Sequence, residues 1–328
     1  MSEIENNNAN NVLDKSYRNH NPKILWGPNF YIDSVIVYLQ YSWRRKIRPA
    51  KFIECLLEYF EEAKEAQVKT RLEEHRFIIY PENPETRNPN RSCILSHMDN
   101  SCRINLLKEP AKQFTCKWGI EVVLSVMLYT RDEYLLVVRT SSKNTLFPDC
   151  WNLPSQKLPI GIAIREAGFQ ILLYMIGYYN DWPTCDTWIT CLWEAVDVKE
   201  NLDAIGKGNH FLNIFLVIKI PIAHQDITRE SNLNMQEVTI CSWFSKKFLE
   251  TLINNESDIT DISQPPKSIE GIITKLDGTK QEFLIKPSVF LDDRKKGKDE
   301  KKAKFTQSFF YAINKMLSDI YRPQSVSQ

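Results

Sequence analysis

The chain has 328 residues, 43% hydrophobic and 25% charged, an ordinary soluble composition long enough for one large domain or two modest ones. Its 42 Lys+Arg against 41 Asp+Glu leave no global field to draw in nucleic acid or an anionic bilayer. Eight cysteines lack framework spacing and no signal peptide precedes them, so they read as reduced intracellular thiols.

In chain order, residues 1–29 form a polar tail that is Asn-rich and carries Glu3, Glu5 and Asp14, unlike an Arg/Ser-rich presequence. Asp33–Ser42 is rich in Val, Ile and Tyr and predicts a strand. Pro49 suits a helix start, and Phe52, Leu56, Tyr59, Phe60 and Ala63 form one stripe, predicting a helix over Ala50–Glu74. Arg76–Tyr80 predicts a strand, so residues 30–110 read as a small β-α-β module and its linker.

Residues 111–257 read as a second domain. Ile120–Leu128 and Tyr134–Arg139 predict a hairpin, and Ile160–Ile176 a helix stopped by Gly177. Trp188–Val196, Phe211–Ile220 and Val238–Phe244 predict further strands, with a helix from Ser245. Over 258–328 come a hairpin around Asp277–Gly278, a basic run at Arg294–Lys304, and an amphipathic helix over Thr306–Tyr321. The longest apolar runs, Tyr31–Tyr41 and Ala167–Tyr179, fall short of the roughly 20 residues needed to span a bilayer.

The order of four segments carries a resemblance. "FPDCWNLPSQKL" precedes the box helix and "LWEAV" follows it; "HFLNIFLVIKI" and "NMQEVTICSWF" complete the domain. The chain resembles the Nudix family from about residue 33 onward, and within it a eukaryotic branch called nucleoside-diphosphate-linked moiety X motif seventeen. The resemblance implies an α+β fold: a Nudix-like α/β/α sandwich with a mixed sheet, here with the N-terminal module and a C-terminal helix. It also implies a box, G-x5-E-x7-R-E-U-x-E-E-x-G-U, whose glutamates hold a divalent cation, usually Mg²⁺, against a diphosphate.

An ungapped match lays that box on residues 156–178. Gln156 then stands at the first glycine and Ile162 at the first glutamate. Gln170 and Ile171 take the Arg-Glu pair, Tyr174 and Met175 the Glu-Glu pair, and Gly177 keeps its letter. A gapped match that uses Arg165–Glu166 as the Arg-Glu pair also loses the Glu-Glu pair. Apolar side chains give a hard cation no ligand, so the expectation is a protein that is not an enzyme, with no catalytic residues, metal or cofactor. The helix, apolar from Ala167 to Tyr179 except at Gln170, is expected to be buried on every side, with Tyr178 and Tyr179 at an interface.

The role this implies is a structural or accessory subunit, its partners being other protein subunits of a larger intracellular assembly, mitochondrial or cytoplasmic. No nucleic acid is expected, and membrane contact is at most peripheral. Two alternatives stay open: a module that binds a nucleotide or acyl-CoA without cleaving it, and an active diphosphatase whose acids have moved to Glu166, Glu194 or Glu237. Arg139 and Lys157 are candidate phosphate contacts at the cleft mouth, or else solvated charges; Glu237 is a candidate ligand or a structural acid. Cys93, His97, Cys102 and Cys116 have a spacing that could hold zinc but match no standard finger, and buried thiols are the alternative.

Overall fold

The computed structural model describes residues 35–40, 46–52, 54–62, 64–82, 93–97, 119–144, 146, 148–178, 185–197, 209–254, 266–275, 279–291 and 305–321. The tail at 1–29, Cys102, Cys116, Tyr179, the Asp277–Gly278 turn and the basic run Arg294–Lys304 lie outside them.

Strands β6 (Glu121–Tyr129) and β11 (Asn209–Lys219) form the centre and pair in parallel, from Phe211 opposite Glu121 to Lys219 opposite Tyr129. Both read as near-continuous apolar runs because they are covered on both faces. Around them the strands join one mixed 14-stranded sheet. On one side lie β7 (Tyr134–Thr140), β12 (Val238–Ser245) and the hairpin β13 (Ile269–Thr274) with β14 (Lys280–Ile285). On the other lie β10 (Asp186–Asp197), β5 (Cys93–His97), β3 (Glu65–Glu73), β4 (Arg76–Pro81), β1 (Ile36–Leu39) and β2 (Arg48–Pro49). The short strands β8 (Trp151–Asn152) and β9 (Ser155–Lys157) pair with β7 and β6.

The class is α+β, as expected, but the N-terminal region is built differently from the sequence reading. The helix predicted over Ala50–Glu74 is one turn, α1 (Leu56–Tyr59), followed by Glu61 in the left-handed region at φ 60°. Glu65–Glu73 is instead a strand, paired antiparallel with β4 and β5. Its Ala66 and Val68 are buried two residues apart, a period-2 pattern hidden among Glu, Gln, Lys and Arg. Strands β1 and β4 run parallel.

This region shares one sheet with β6 and β11. The Val37 amide donates to the Ile120 carbonyl at 2.9 Å and the Val122 amide to the Val35 carbonyl at 3.0 Å, pairing β1 with β6. The strands β6, β11, β10, β5, β3, β4 and β1 thereby close into a ring. Among the described residues, closure leaves only the two-residue β2 as an edge on that side.

Side chains alternate between two cores. Val122, Leu124, Val126, Leu136 and Val138 join the first, inside the ring and under helix α2 (Ile164–Ile176). Met127, Tyr129, Leu135 and Val137 join the second. There they meet helices α4 (Lys246–Asn254), α5 (Ser288–Leu291) and α6 (Gln307–Tyr321) through an aromatic stack of Phe244, Phe248, Phe290 and Phe309. The remaining helix, α3 (His224–Glu230), leads from β11 to β12.

Candidate active site

Helix α2 follows the short strands β8 and β9 and starts without a side-chain cap at Ala163. Two glycines fix its position. Gly168 lies against β11, where a Cβ would come within 2.7 Å of Leu216. Gly177 ends the helix in the left-handed conformation at φ 63°, where a Cβ would meet the Asn232 carbonyl at 2.5 Å.

The expectation of burial on every side is corrected. Ala167, Phe169, Ile171, Leu172, Met175 and Ile176 are buried, but Glu166 and Tyr174 are exposed and Gln170 and Leu173 partly so. Residues 166, 170 and 174 are four apart, so they form one solvent-facing stripe. Of the box positions, Ile171 and Met175 are sealed in the core, Ile162 packs against it and Gln156 is half-buried in β9. Tyr178, expected at an interface, is buried within its own chain at 4% exposure.

Sequence reasoning did not anticipate how the helix end assembles a polar site. The last turn of a helix leaves carbonyls without partners. Here the Asn232 amide donates to the Ile176 carbonyl at 2.7 Å and the Asn234 amide to the Met175 carbonyl at 2.9 Å. That stitching holds the 232–237 turn against α2 and sets Glu237 beside Tyr174. The Tyr174 hydroxyl donates to Glu237 Oε1 at 3.2 Å, and Asn144 Nδ2 donates to Oε2 at 2.8 Å. Asn144 is itself oriented, because its Oδ1 accepts the Leu146 amide at 3.0 Å. The Ser141 amide donates to the Glu237 carbonyl at 2.8 Å, tying the loop after β7 to the same turn. A carboxylate thus stands beside the tip of Tyr174, the residue at which the ungapped match puts a box glutamate, delivered from another part of the chain.

The other candidates are not gathered there. Arg139 alternates with Val138, which faces α2, so it belongs to the opposite face of the sheet, where it is exposed. Lys157 pairs with Val123 on that opposite face and is engaged by Glu121 at 2.8 Å. Neither therefore meets Glu237 at a shared cleft mouth. Glu166 lies two turns before Tyr174, about 12 Å along the axis. Glu194 is fully buried in the ring. Cys93 and His97 are four residues apart on one strand, hence about 13 Å from each other, too far to share a metal ion.

The donors near Glu237 fit a divalent cation only in a reduced form. Ile162, Ile171 and Met175 have no oxygen to offer, and among the described residues no set of three His, Cys or carboxylate ligand atoms gathers at Glu237. Mg²⁺, however, commonly binds through one or two protein carboxylates and takes its other ligands from water and substrate phosphates. Glu237, with two fixed donors and lone pairs to spare, suits that arrangement.

No family model matches the chain. It is 23% identical over 249 residues to the Danio rerio m7GpppN-mRNA hydrolase NUDT17, covering 73% of this chain and 81% of that protein. It is 21% identical over 182 residues to the Xenopus laevis protein of the same name, covering 55% and 60%. Among solved structures, the C. elegans Ap4A hydrolase binary complex matches 61% of this chain and 98% of its own at TM-score 0.32 and 9% identity. DR0079 from Deinococcus radiodurans matches 42% and 72% at TM-score 0.28 and 12% identity.

Both of these sequence relatives bear the name hydrolase. That overturns the expectation that the chain is not an enzyme, which rested on reading the box glutamates at fixed positions. Among the described residues no helix is long and apolar enough to cross a membrane. With the α+β sheet, the Trp-x-x-Pro segment leading into α2, and relatives aligned over most of its length, this chain is similar to the Nudix hydrolases.

Proposed function

We propose that this chain is a Nudix-type hydrolase of a nucleotide joined through a phosphoanhydride bridge, such as the triphosphate bridge of an mRNA cap, with Glu237 as its working carboxylate. The observation that carries the reading is the carboxylate of Glu237 on the exposed stripe of α2, 3.2 Å from the Tyr174 hydroxyl. The names of the relatives supply the substrate class.

In this reading Glu237 takes the proton from a water that attacks one phosphorus of the phosphate bridge. The bridging phosphorus–oxygen bond breaks, and the leaving phosphate carries away the electron pair. Tyr174 and Asn144 fix the carboxylate so that little reorganisation is needed at the moment of transfer. A bound divalent cation would supply charge neutralisation on the phosphate bridge. Tyr174, 46% exposed, also offers an aromatic face beside the carboxylate.

The test is hydrolysis of a capped RNA or cap dinucleotide by the full chain with Mg²⁺ or Mn²⁺, following release of the nucleotide products. Turnover in the ordinary range of about 1–10³ s⁻¹ is expected. Glu237→Gln should lower kcat by roughly 10²–10⁴-fold without changing the melting temperature. Absence of metal-dependent release, or a Glu237→Gln variant with unchanged kcat, overturns the proposal.

A further inference from the structure

Inside the ring, remote from the exposed stripe of α2 in sequence and burial, lies a second group of ligand-type side chains. A sulfur of Cys55, a ring nitrogen of His97 and a carboxylate oxygen of Glu194 all lie within 4.8 Å of one another, and all three residues are buried. They come from three places in the chain: the residue before α1, the end of β5, and the middle of β10. His97 and Glu194 are brought side by side by the parallel register of β5 and β10.

The carboxylate is aimed. Glu194 Oε1 accepts the Leu56 amide at 2.9 Å and lies 2.9 Å from His210 Nε2, while His210 Nδ1 lies 2.5 Å from the Phe52 carbonyl. With Oε1 occupied by two partners, Oε2 turns toward the Cys55 sulfur, 3.6 Å away. Bonds of about 2.3 Å to sulfur and 2.0–2.2 Å to oxygen at a tetrahedral zinc put those two ligand atoms about 3.5 Å apart. The observed separation matches that edge of the tetrahedron.

Glu194 and His210 are paired in this interior, both side chains fully buried. A histidine that holds the far oxygen of a ligating carboxylate is a familiar means of orienting a metal ligand. The site also explains the placement of α1, a single turn with no side-chain cap at Cys55 and far too short to be stable alone.

We propose that Cys55, His97 and Glu194 form a three-ligand zinc site, its fourth position open to water, which pins α1 to β5 and β10, with His210 as its positioning residue. His97 is thus a zinc ligand through partners remote in sequence, in place of the nearby Cys93.

The full chain, purified and exposed to zinc and then dialysed, should retain about one zinc per chain. X-ray absorption at the zinc edge should read one sulfur at about 2.3 Å and nitrogen or oxygen ligands at about 2.0–2.1 Å. Cys55→Ser should lose at least tenfold in zinc affinity, and His210→Gln should weaken it by roughly 10–100-fold. Wild-type protein that retains no zinc, a shell with no sulfur or with several, or full retention in Cys55→Ser overturns the proposal. If Cys55→Ser does not fold, the wild-type absorption spectrum decides alone.

Discussion

The Tyr174 hydroxyl donates to the carboxylate of Glu237 across a sequence separation of 63 residues, the tyrosine on the open stripe of α2 and the glutamate in the turn before β12. The contact exists because the 232–237 turn hydrogen-bonds the last carbonyls of the helix. An acid supplied this way is invisible to a motif that counts positions along one helix.

Removing the Tyr174 hydroxyl separates orientation from folding. Tyr174→Phe should lower kcat roughly 2- to 12-fold, matching a hydrogen bond of about 0.5–1.5 kcal/mol. Because the side chain is 46% exposed, stability should change by no more than about 0.5 kcal/mol. A steady-state assay beside a thermal melt reads both.

The two adjacent positions of the box's Glu-Glu pair should respond oppositely to a glutamate. Met175 is 0% exposed, so Met175→Glu buries a charge without a partner at a cost of several kcal/mol, comparable with whole-domain stability. Tyr174→Glu places its charge in water and should leave the chain folded. Soluble yield and far-ultraviolet circular dichroism of the two variants provide the comparison.

Gly168 tests how closely α2 approaches the sheet. An alanine there would bring its Cβ within 2.7 Å of Leu216 Cδ2 and 3.1 Å of Ile218 Cδ1, so overpacking should outweigh the gain in helix propensity. Gly168→Ala should cost about 1–3 kcal/mol in chemical denaturation. An unchanged midpoint would mean the helix rides farther from β11.

Asp132 gives a pH signature. Burial pushes its carboxyl up, but hydrogen bonds from Thr130 and His224 outweigh it and hold the group below its ordinary 3.8. A depressed folded value means stability that is present above the unfolded pKa and lost as pH falls through the folded one. Asp132→Asn should therefore melt lower than the parent at neutral pH, with the two curves converging below about pH 4. Parallel curves down to pH 2 would contradict this.

What the sequence determined by itself is local. The long apolar runs of β6, β10, β11 and β12, the helix ended by Gly177, and the amphipathic stripe of Phe309, Ile313 and Leu317 on α6 are patterns within a few turns or a few alternations. The α+β class and the family likeness follow from their order. What only the tertiary structure decided is whatever depends on partners far along the chain. Glu65–Glu73 carries helix-favouring residues yet becomes a strand, because β4 and β5 supply its hydrogen bonds and strand preference depends on neighbours. The ring closes through the pairing of β1 with β6, which no window of sequence contains. The exposed side of α2 is set by which loops cover it, not by its own composition. The same holds for both sites: Glu237 reaches Tyr174, and Cys55, His97 and Glu194 converge, only because sheet register and helix ends place residues from separate segments within bonding distance.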